Sequence, residues 1–233
     1  ALIMSAGNVI NDCFDIEIDR VNKPFRPIPA GKVSQASARY FAIILFVFGA
    51  FLSIFINWST FVLAVVISFG LFYYSYRLKR TVFVGNLAVS FFSALALIYG
   101  SLAIDAWQGA LIPASFAFLF HLGREVIKDI EDREADSSVS AATLPVSFGV
   151  RTAQIVASIV FGLLIILTFI PYILDIYGNN YLVAVVPGVD LVVAGALYFM
   201  WTYPFPESLR RISFVLKADM FVGLFAIYLG VSS

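Results

Sequence analysis

The sequence predicts an all-α protein, a polytopic bundle of transmembrane helices. Of its 233 residues, 61% are hydrophobic and only 13% are charged, whereas soluble domains are about 45–50% apolar and about 25% charged. A membrane-spanning helix needs about 20 predominantly apolar residues. Seven stretches are about that long, at residues 35–56, 58–76, 82–103, 109–127, 152–174, 181–202 and 212–231. We therefore expect about seven full spans.

A shorter apolar segment precedes the first of these spans. The chain begins at Ala1, and a polar motif follows after about ten residues, too few to cross a hydrocarbon core of about 30 Å. We expect a partial helix there. Residues 1–233 should form a single transmembrane domain from which an N-terminal helix is missing.

The basic residues indicate how the bundle is oriented. All fifteen Lys and Arg lie on one predicted side of the membrane. They lie before the first span or near its start, or in or beside every second connection that follows. The connections on the other side contain none. Positive charge marks the cytoplasmic side of short loops. We therefore expect a multi-pass protein of the cell membrane, in contact with membrane lipids. A net charge of zero gives no field that would attract nucleic acid.

Two acidic segments on the predicted cytoplasmic side share the pattern D-x-x-D-x-x-x-D. The first acidic repeat is Asp12, Asp15 and Asp19, and the second acidic repeat is Asp129, Asp132 and Asp136. At about 100° per residue, this spacing puts three carboxylates on one helix face. Oxygen ligands with no His or Cys at the repeat positions themselves favour Mg²⁺, with Mn²⁺ or Ca²⁺ as alternatives. A simpler interpretation is that each acidic helix end pairs with a nearby arginine, Arg20 or Arg133.

Basic side chains beside these repeats would suit an anionic phosphate group. The candidates are Arg20, Lys23, Arg26, Lys79, Arg124 and Lys128. Two other classes of protein use similar residues, namely a divalent-cation carrier and a protein that only sequesters a diphosphate. A carrier would place its carboxylates near the bilayer midplane. Carboxylates at helix ends among basic residues favour a metal-dependent enzyme acting on a diphosphate.

Three segments resemble the UbiA superfamily of intramembrane prenyltransferases. Residues 11–31 read N-D-x-x-D-x-x-x-D-R-x-N-K-P-x-R-P-x-P-x-G and resemble its first signature. Its second signature is similar to D-x-x-x-D at residues 132–136 with T-L-P-V-x-x-G at 143–149. A Y-x-x-K element matches residues 76–79. The resemblance implies a nine-helix family fold, of which this chain would lack helix one and part of helix two.

The resemblance also implies a reaction, the Mg²⁺-dependent transfer of a prenyl group from a prenyl diphosphate. Residues 123–132 are most similar to the archaeal digeranylgeranylglyceryl phosphate synthase branch of the family. That branch implies geranylgeranyl diphosphate as donor and geranylgeranylglyceryl phosphate, an ether-lipid precursor, as acceptor. The alternative is an aromatic acid acceptor of quinone biosynthesis.

The expected site follows from these patterns together. Two Mg²⁺ ions would be held by Asn11, Asp12, Asp15, Asp19, Asp129, Asp132 and Asp136. Of these residues, we expect Asp15, Asp19, Asp132 and Asp136 to be catalytic. The diphosphate would be bound by Arg20, Lys23, Arg26, Tyr76, Lys79, Arg124 and Lys128.

Three further polar residues fall inside predicted spans, where an ionisable side chain is costly. Asp190 and Asp219 are expected to face the bundle interior. Because Asp219 lies near Lys217 in the sequence, its alternatives are a local polar contact, contact with water, or a role with substrate. Asp190 has no evident sequence partner, and His121, the single histidine, is expected to be a packing residue.

Overall fold

The computed structural model describes residues 1–138 and 141–231, and every side chain in them except those of Val21, Asn22 and Arg80. Asn22 of the first signature therefore lies outside the described side chains. The α-helices are α1 (Leu2–Phe14), α2 (Ile16–Asn22), α3 (Gln35–Ile54), α4 (Trp58–Tyr76), α5 (Val84–Leu102), α6 (Leu111–Glu131), α7 (Arg133–Ser138), α8 (Leu144–Phe148), α9 (Val150–Thr168), α10 (Ile170–Ile173), α11 (Asn179–Val185), α12 (Leu191–Thr202) and α13 (Pro206–Val231). Two 3₁₀ turns, Leu78–Arg80 and Trp107–Ala110, and one π-helical turn, Val186–Asp190, connect some of them.

The helices confirm the predicted all-α membrane architecture. Within the described residues, seven helical segments are long and apolar enough to cross a membrane. The second span has the predicted bounds, Trp58–Tyr76. The last helix begins at Pro206, six residues before the predicted start, because its polar first turns continue the helix beyond the apolar stretch. The chain is thus a multi-pass membrane protein.

Two spans are interrupted where a proline occurs. The helix α9 ends at Thr168, and Pro171 lies in the short α10 that follows. Pro187 lies in the π-helical turn between α11 and α12. Proline lacks the N–H that would continue the helical hydrogen bonds, so each break has a local cause.

The contacts between helices place α6 at the centre of the bundle. The helix α1 packs against α3 and α4, and α4 packs in turn against α5. The helix α6 packs against α5, α9 and α13, and α13 also contacts α11 and α12. As a result, the first acidic repeat at the end of α1 lies near the end of α4. The second acidic repeat, at the end of α6, lies near the start of α5.

A glycine in α6, shortly before the second acidic repeat, lets α6 and α9 approach closely. A Cβ atom added at Gly123 would lie 2.6 Å from the ring of Phe161, and Phe161 is fully buried. Small residues commonly allow such close packing between membrane helices. The contact holds α6 against α9 next to Arg124 and Glu125.

The outer surface of the spans is also apolar. Large side chains such as Phe69, Phe221 and Tyr228 are exposed, which suits lipid contact because a helix satisfies its own backbone hydrogen bonds. We call the end of the bundle that carries both acidic repeats the polar end.

Candidate active site

The two acidic repeats have the same backbone shape. Asp15 joins α1 to α2 with φ −93° and ψ 5°, and Asp132 joins α6 to α7 with φ −86° and ψ 2°. The amide N of the central Asp donates to the carbonyl O four residues earlier, at 3.0 Å in the first repeat and 2.9 Å in the second. The bridge region that both residues occupy is sparsely populated and recurs at active sites.

This geometry corrects one expectation. The spacing predicts three carboxylates on one face of a continuous helix, whereas the structure bends the chain at Asp15 and at Asp132. The amide N of Asp19 still donates to the carbonyl O of Asp15 at 2.8 Å. The amide N of Asp136 donates in the same way to Asp132 at 2.9 Å. Because the hydrogen bonds keep a four-residue period across each bend, the bend is invisible in the spacing.

Basic side chains neutralise the first acidic repeat. Lys79 Nζ forms an ion pair with Asp15 and donates to Asn11 Oδ1 at 3.1 Å. Asn11 Nδ2 also donates to Asp15 Oδ2 at 2.9 Å. Arg26 donates to both Asp12 Oδ1 and Asp19 Oδ2, each at 2.7 Å.

The simpler interpretation, in which Arg20 pairs with the carboxylates of the first repeat, is wrong. Arg20 pairs with the exposed Glu17 at 3.4 Å rather than with an Asp of the repeat. The partner that the repeat does have, Arg26, comes from the loop after α2.

Local backbone geometry brings Lys79 to this position. The 3₁₀ turn Leu78–Arg80 follows α4, and α5 starts after Phe83, whose φ of 61° is positive. A Cβ atom at Gly85 would lie 3.1 Å from the carbonyl O of Leu78 and 3.3 Å from that of Lys79. Glycine therefore lets the start of α5 pack directly on the turn that presents Lys79.

The second acidic repeat has no such neutralisation. In the described residues, no Lys or Arg forms an ion pair with Asp129, Asp132 or Asp136. Asp129 Oδ2 accepts a hydrogen bond from the buried Asn86 at 2.8 Å. Burial raises the pKa of Asp136 above its usual value, and the neighbouring Asp132 carboxylate raises this pKa further. A cation would relieve the cost of keeping these carboxylates ionised.

The two repeats form one electrostatic site. Tyr74 lies within range of the charges of Glu125, Asp15 and Asp129, which come from both repeats and from the turn before the second. Asp136 interacts electrostatically with Lys79, the partner of the first repeat. Contacts point the same way: Lys79, in the turn before α5, pairs with Asp15, and Asn86, at the start of α5, donates to Asp129, so both repeats lie beside the same segment at the polar end.

The other predicted diphosphate ligands lie in different settings. Arg124 forms a 2.8 Å ion pair with Glu125, and Lys128 approaches the same carboxylate at 3.9 Å. Lys23 is exposed. Tyr76 is 59% exposed and its ring packs 5.8 Å from that of Phe14, a residue between Asp12 and Asp15.

Two residues of this site were missed from the sequence. Asn86 carries the weak signal of an amide near the end of an apolar span. Tyr74 carries none, because it cannot be distinguished in the sequence from Tyr73 and Tyr76 beside it.

The donor atoms fit a hard divalent cation better than a soft one. They are carboxylate and amide oxygens, which Mg²⁺ prefers and which leave room for water and phosphate oxygens. Within the described residues, no three His, Cys, Asp or Glu side chains converge on one point, since Lys79 and Arg26 separate the carboxylates of the first repeat. The fit therefore rests on donor chemistry and on the uncompensated second repeat.

The acidic residues inside the spans face the bundle interior, as expected. Asp219 is 4% exposed and pairs with no cation in the described residues, so the alternative of a contact with Lys217 is wrong. Two residues along a helix differ in direction by about 200°, so the two side chains leave α13 in different directions and form no ion pair in the described residues, although both border one cavity of the bundle. Asp190 is buried and accepts hydrogen bonds from Thr168 Oγ1 at 3.1 and 3.2 Å. Its partner is distant in sequence and could not be foreseen.

The chain is a membrane-spanning helical bundle with two acidic repeats, lysine and arginine at one end. These features are typical of integral membrane enzymes that act on phosphorylated substrates. The family described as "UbiA prenyltransferase family" matches residues 1–223, so the chain belongs to this family of prenyltransferases. The resemblance seen in the sequence is thereby confirmed.

Individual relatives agree with this membership. The digeranylgeranylglyceryl phosphate synthase of Pyrococcus horikoshii is 36% identical over 226 residues, 97% of this chain and 80% of the relative. That of Saccharolobus solfataricus is 43% identical over 174 residues, 73% of this chain and 62% of the relative.

Solved structures share the fold. One, described as "Structural and mechanistic insights into the biosynthesis of Digeranylgeranylglyceryl phosphate synthase in membranes", has a TM-score of 0.82 and 33% identity, over 100% of this chain and 83% of that chain. A UbiA homolog from Archaeoglobus fulgidus bound to GPP and Mg²⁺ has a TM-score of 0.69 over 97% of this chain and 84% of that chain. At 16% identity, the second likeness shows the fold alone.

Proposed function

We propose that the chain transfers a geranylgeranyl group from geranylgeranyl diphosphate to geranylgeranylglyceryl phosphate in archaeal ether-lipid synthesis. The observation that carries the proposal is the pair of matched acidic repeats at the polar end, the first bound by Lys79 and the second by Asn86, which lie at adjoining positions before and in α5. The names of the relatives support this acceptor. The one-sided distribution of Lys and Arg supports a cytoplasmic polar end in the cell membrane.

Two Mg²⁺ ions, or Mn²⁺ in their place, would bind between the repeats. Their ligands would come from Asn11, Asp12, Asp15, Asp19, Asp129, Asp132 and Asp136. When bound, the metal neutralises charge that develops on the diphosphate leaving group. The bound Mg²⁺ and prenyl diphosphates of the Archaeoglobus homologs support a divalent metal here.

Lys79 and Arg26 act as exchangeable counterions in this proposal. Both now neutralise carboxylates of the first repeat. Once those carboxylates serve a metal, the two cationic side chains are free to donate to diphosphate oxygens, as charge-assisted hydrogen bonds are strong. Arg124 and Lys128 would contribute from the second repeat. The described contacts give no support to the predicted roles of Arg20, Lys23 and Tyr76.

The chemistry follows from this arrangement of charges. The bond between C1 of the prenyl group and the diphosphate oxygen breaks, and its electron pair goes to the diphosphate. Lys79 and Arg26 stabilise that negative charge, and preorganised donors of this kind are a large source of catalysis. The acceptor hydroxyl oxygen forms the new bond to C1, and its proton passes to a carboxylate.

Three other functions were open from the sequence, and variants described below test one of them, simple binding of the diphosphate. The divalent-cation carrier is disfavoured because the family is one of prenyltransferases. The aromatic acid acceptor of quinone biosynthesis is disfavoured because the relatives are named for a glyceryl phosphate lipid.

The test is a transfer assay with radiolabelled geranylgeranyl diphosphate and Mg²⁺, using the protein in lipid nanodiscs. The acceptor panel contains geranylgeranylglyceryl phosphate, 4-hydroxybenzoate and a dihydroxynaphthoate. We expect label in the glyceryl phosphate lipid alone. Label in an aromatic product would overturn the proposed acceptor, and transfer to none of the panel would overturn the proposed reaction.

Variants separate catalysis from simple binding of the diphosphate. Asp15→Asn and Asp132→Asn should lose turnover even when saturating donor restores occupancy. Asp175→Asn is the matched control, because Asp175 is exposed and follows α10 at the opposite end of the spans. Turnover that survives both site changes would contradict the metal assignment.

A further inference from the structure

A cavity of about 340 Å³ lies within the bundle, between α5, α6, α9, α11 and α13. Most of its walls are apolar, from residues such as Leu97, Phe120 and Val185. Its volume is within the range of about 300–1,000 Å³ that is typical of ligand sites. His121 lines it about two helical turns before Asp129, so the cavity begins about 12 Å along α6 from the second acidic repeat.

One wall of this apolar cavity carries a carboxylate without a hydrogen-bond donor. Asp219 is 96% buried and lines the cavity. In the described part of the chain, its Oδ2 atom has no hydrogen-bond partner. Buried polar atoms are nearly always paired, so this atom calls for a donor that the described residues do not supply.

Two neighbouring polar side chains, Asp190 and Tyr181, have hydrogen-bond partners. Asp190 accepts two hydrogen bonds from Thr168 and does not line the cavity. Tyr181 does line it, but its hydroxyl donates to the carbonyl O of Thr168 at 2.9 Å. Asp219 is thus the side chain with an unmet requirement in this region.

The missing donor distinguishes between the two substrates. A prenyl tail is a hydrocarbon and offers no donor to a carboxylate. The acceptor offers a free hydroxyl, a phosphate and a long apolar chain. The cavity offers matching groups, namely the carboxylate of Asp219, the cationic Lys217, which is exposed and lines it, and apolar walls.

We propose that this cavity binds the acceptor lipid, a glycerol phosphate with one hydrocarbon chain, whose free hydroxyl donates to Asp219 while its phosphate lies by Lys217. This inference rests on the proposed function for the identity of the lipid. It adds the residues that would orient the hydroxyl, which the acidic repeats do not supply.

The test measures binding without the donor, so it does not depend on turnover. Native mass spectrometry of the protein in detergent gives the Kd for geranylgeranylglyceryl phosphate and for its analogue without the hydroxyl. We expect the wild type to bind the hydroxyl form at least tenfold more tightly. Asp219→Asn should weaken that binding at least tenfold and remove most of the preference, because an amide is a poorer acceptor than a carboxylate.

Asp190→Asn is the matched control, a second buried carboxylate nearby that is already hydrogen-bonded and should leave both Kd values within twofold. Lys217→Met should raise the Kd for the phosphate-bearing lipid but not the Kd for the corresponding phosphate-free alcohol. Equal binding of both lipids by the wild type, or an unchanged Kd in Asp219→Asn, would overturn the proposal. A rise in the donor KM of Asp219→Asn with unchanged acceptor Kd would assign the cavity to the donor tail instead.

The transfer assay separates this inference from the proposed function. Absence of transfer together with Asp219-dependent binding would contradict the reaction but keep the cavity assignment. Prenyl transfer that persists while acceptor binding does not depend on Asp219 would support the reaction but overturn the cavity assignment.

Discussion

Replacing Asn86 by alanine removes the described donor to the carboxylate of Asp129, a 2.8 Å hydrogen bond from Nδ2 to Oδ2. Both residues come from helices that pack together at the polar end, α5 and α6. A hydrogen bond to a charged group is worth about 1.5–3 kcal/mol, or a 10- to 150-fold change in a binding constant. Loss of a residue that orients a metal ligand typically costs about 10- to 100-fold in metal affinity. We expect the half-saturating Mg²⁺ concentration to rise by about that factor.

The assay is the initial rate of prenyl transfer against Mg²⁺ concentration, at saturating donor and acceptor. Ser90→Ala is the matched control, because Ser90 is buried one turn further along α5 and its hydroxyl donates to the carbonyl O of Asn86 at 2.7 Å. It should leave the Mg²⁺ dependence within twofold. An unchanged Mg²⁺ dependence in a folded Asn86→Ala protein would refute the role of Asp129 as a metal ligand.

Three further predictions concern the first acidic repeat and its surroundings. Lys79→Met removes the cation that pairs with Asp15 and should raise the KM for the donor by about tenfold or more. Lys79→Arg keeps the charge and should raise this KM less. An unchanged KM in Lys79→Met would exclude Lys79 from diphosphate binding. Gly85→Ala places a Cβ atom 3.1 Å from a carbonyl O of the turn that presents Lys79, so we expect a smaller rise in the same KM at a nearly unchanged melting temperature, and an unchanged KM would contradict the packing argument. Tyr74→Phe should weaken donor binding more than Tyr76→Phe, because Tyr74 lies among the site charges and Tyr76 is exposed; the reverse order, measured by donor titration, would restore Tyr76 to the site.

The number and position of the spans could be predicted because composition and length alone require them. The span Trp58–Tyr76 was predicted to the residue, since Asn57 caps its start and the basic segment follows its end. The breaks at Asp15 and Asp132 could not be predicted, because the hydrogen bonds across them keep the helical period. The start of the last helix was placed late because its polar turns carry no apolar signal.

The site was predictable only where charge made it visible. Carboxylates near a membrane are rare enough to stand out, and the matched spacing paired the two repeats. The contacts that depend on helix packing were invisible, such as Asn86 with Asp129 and Lys79 with Asn11. The surroundings of Asp219 could not be predicted, because they are built from helices distant in sequence.

The central claim is that the two acidic repeats jointly hold the divalent metal and the diphosphate. Its most direct test is a crystal structure with Mn²⁺ and a non-reactive thio analogue of geranylgeranyl diphosphate, in which anomalous scattering locates the metal. We expect two Mn²⁺ peaks between the repeats, with carboxylate ligands from both, and Lys79 displaced from Asp15 to the diphosphate. Metal peaks at only one repeat, or a diphosphate bound away from both, would contradict the claim.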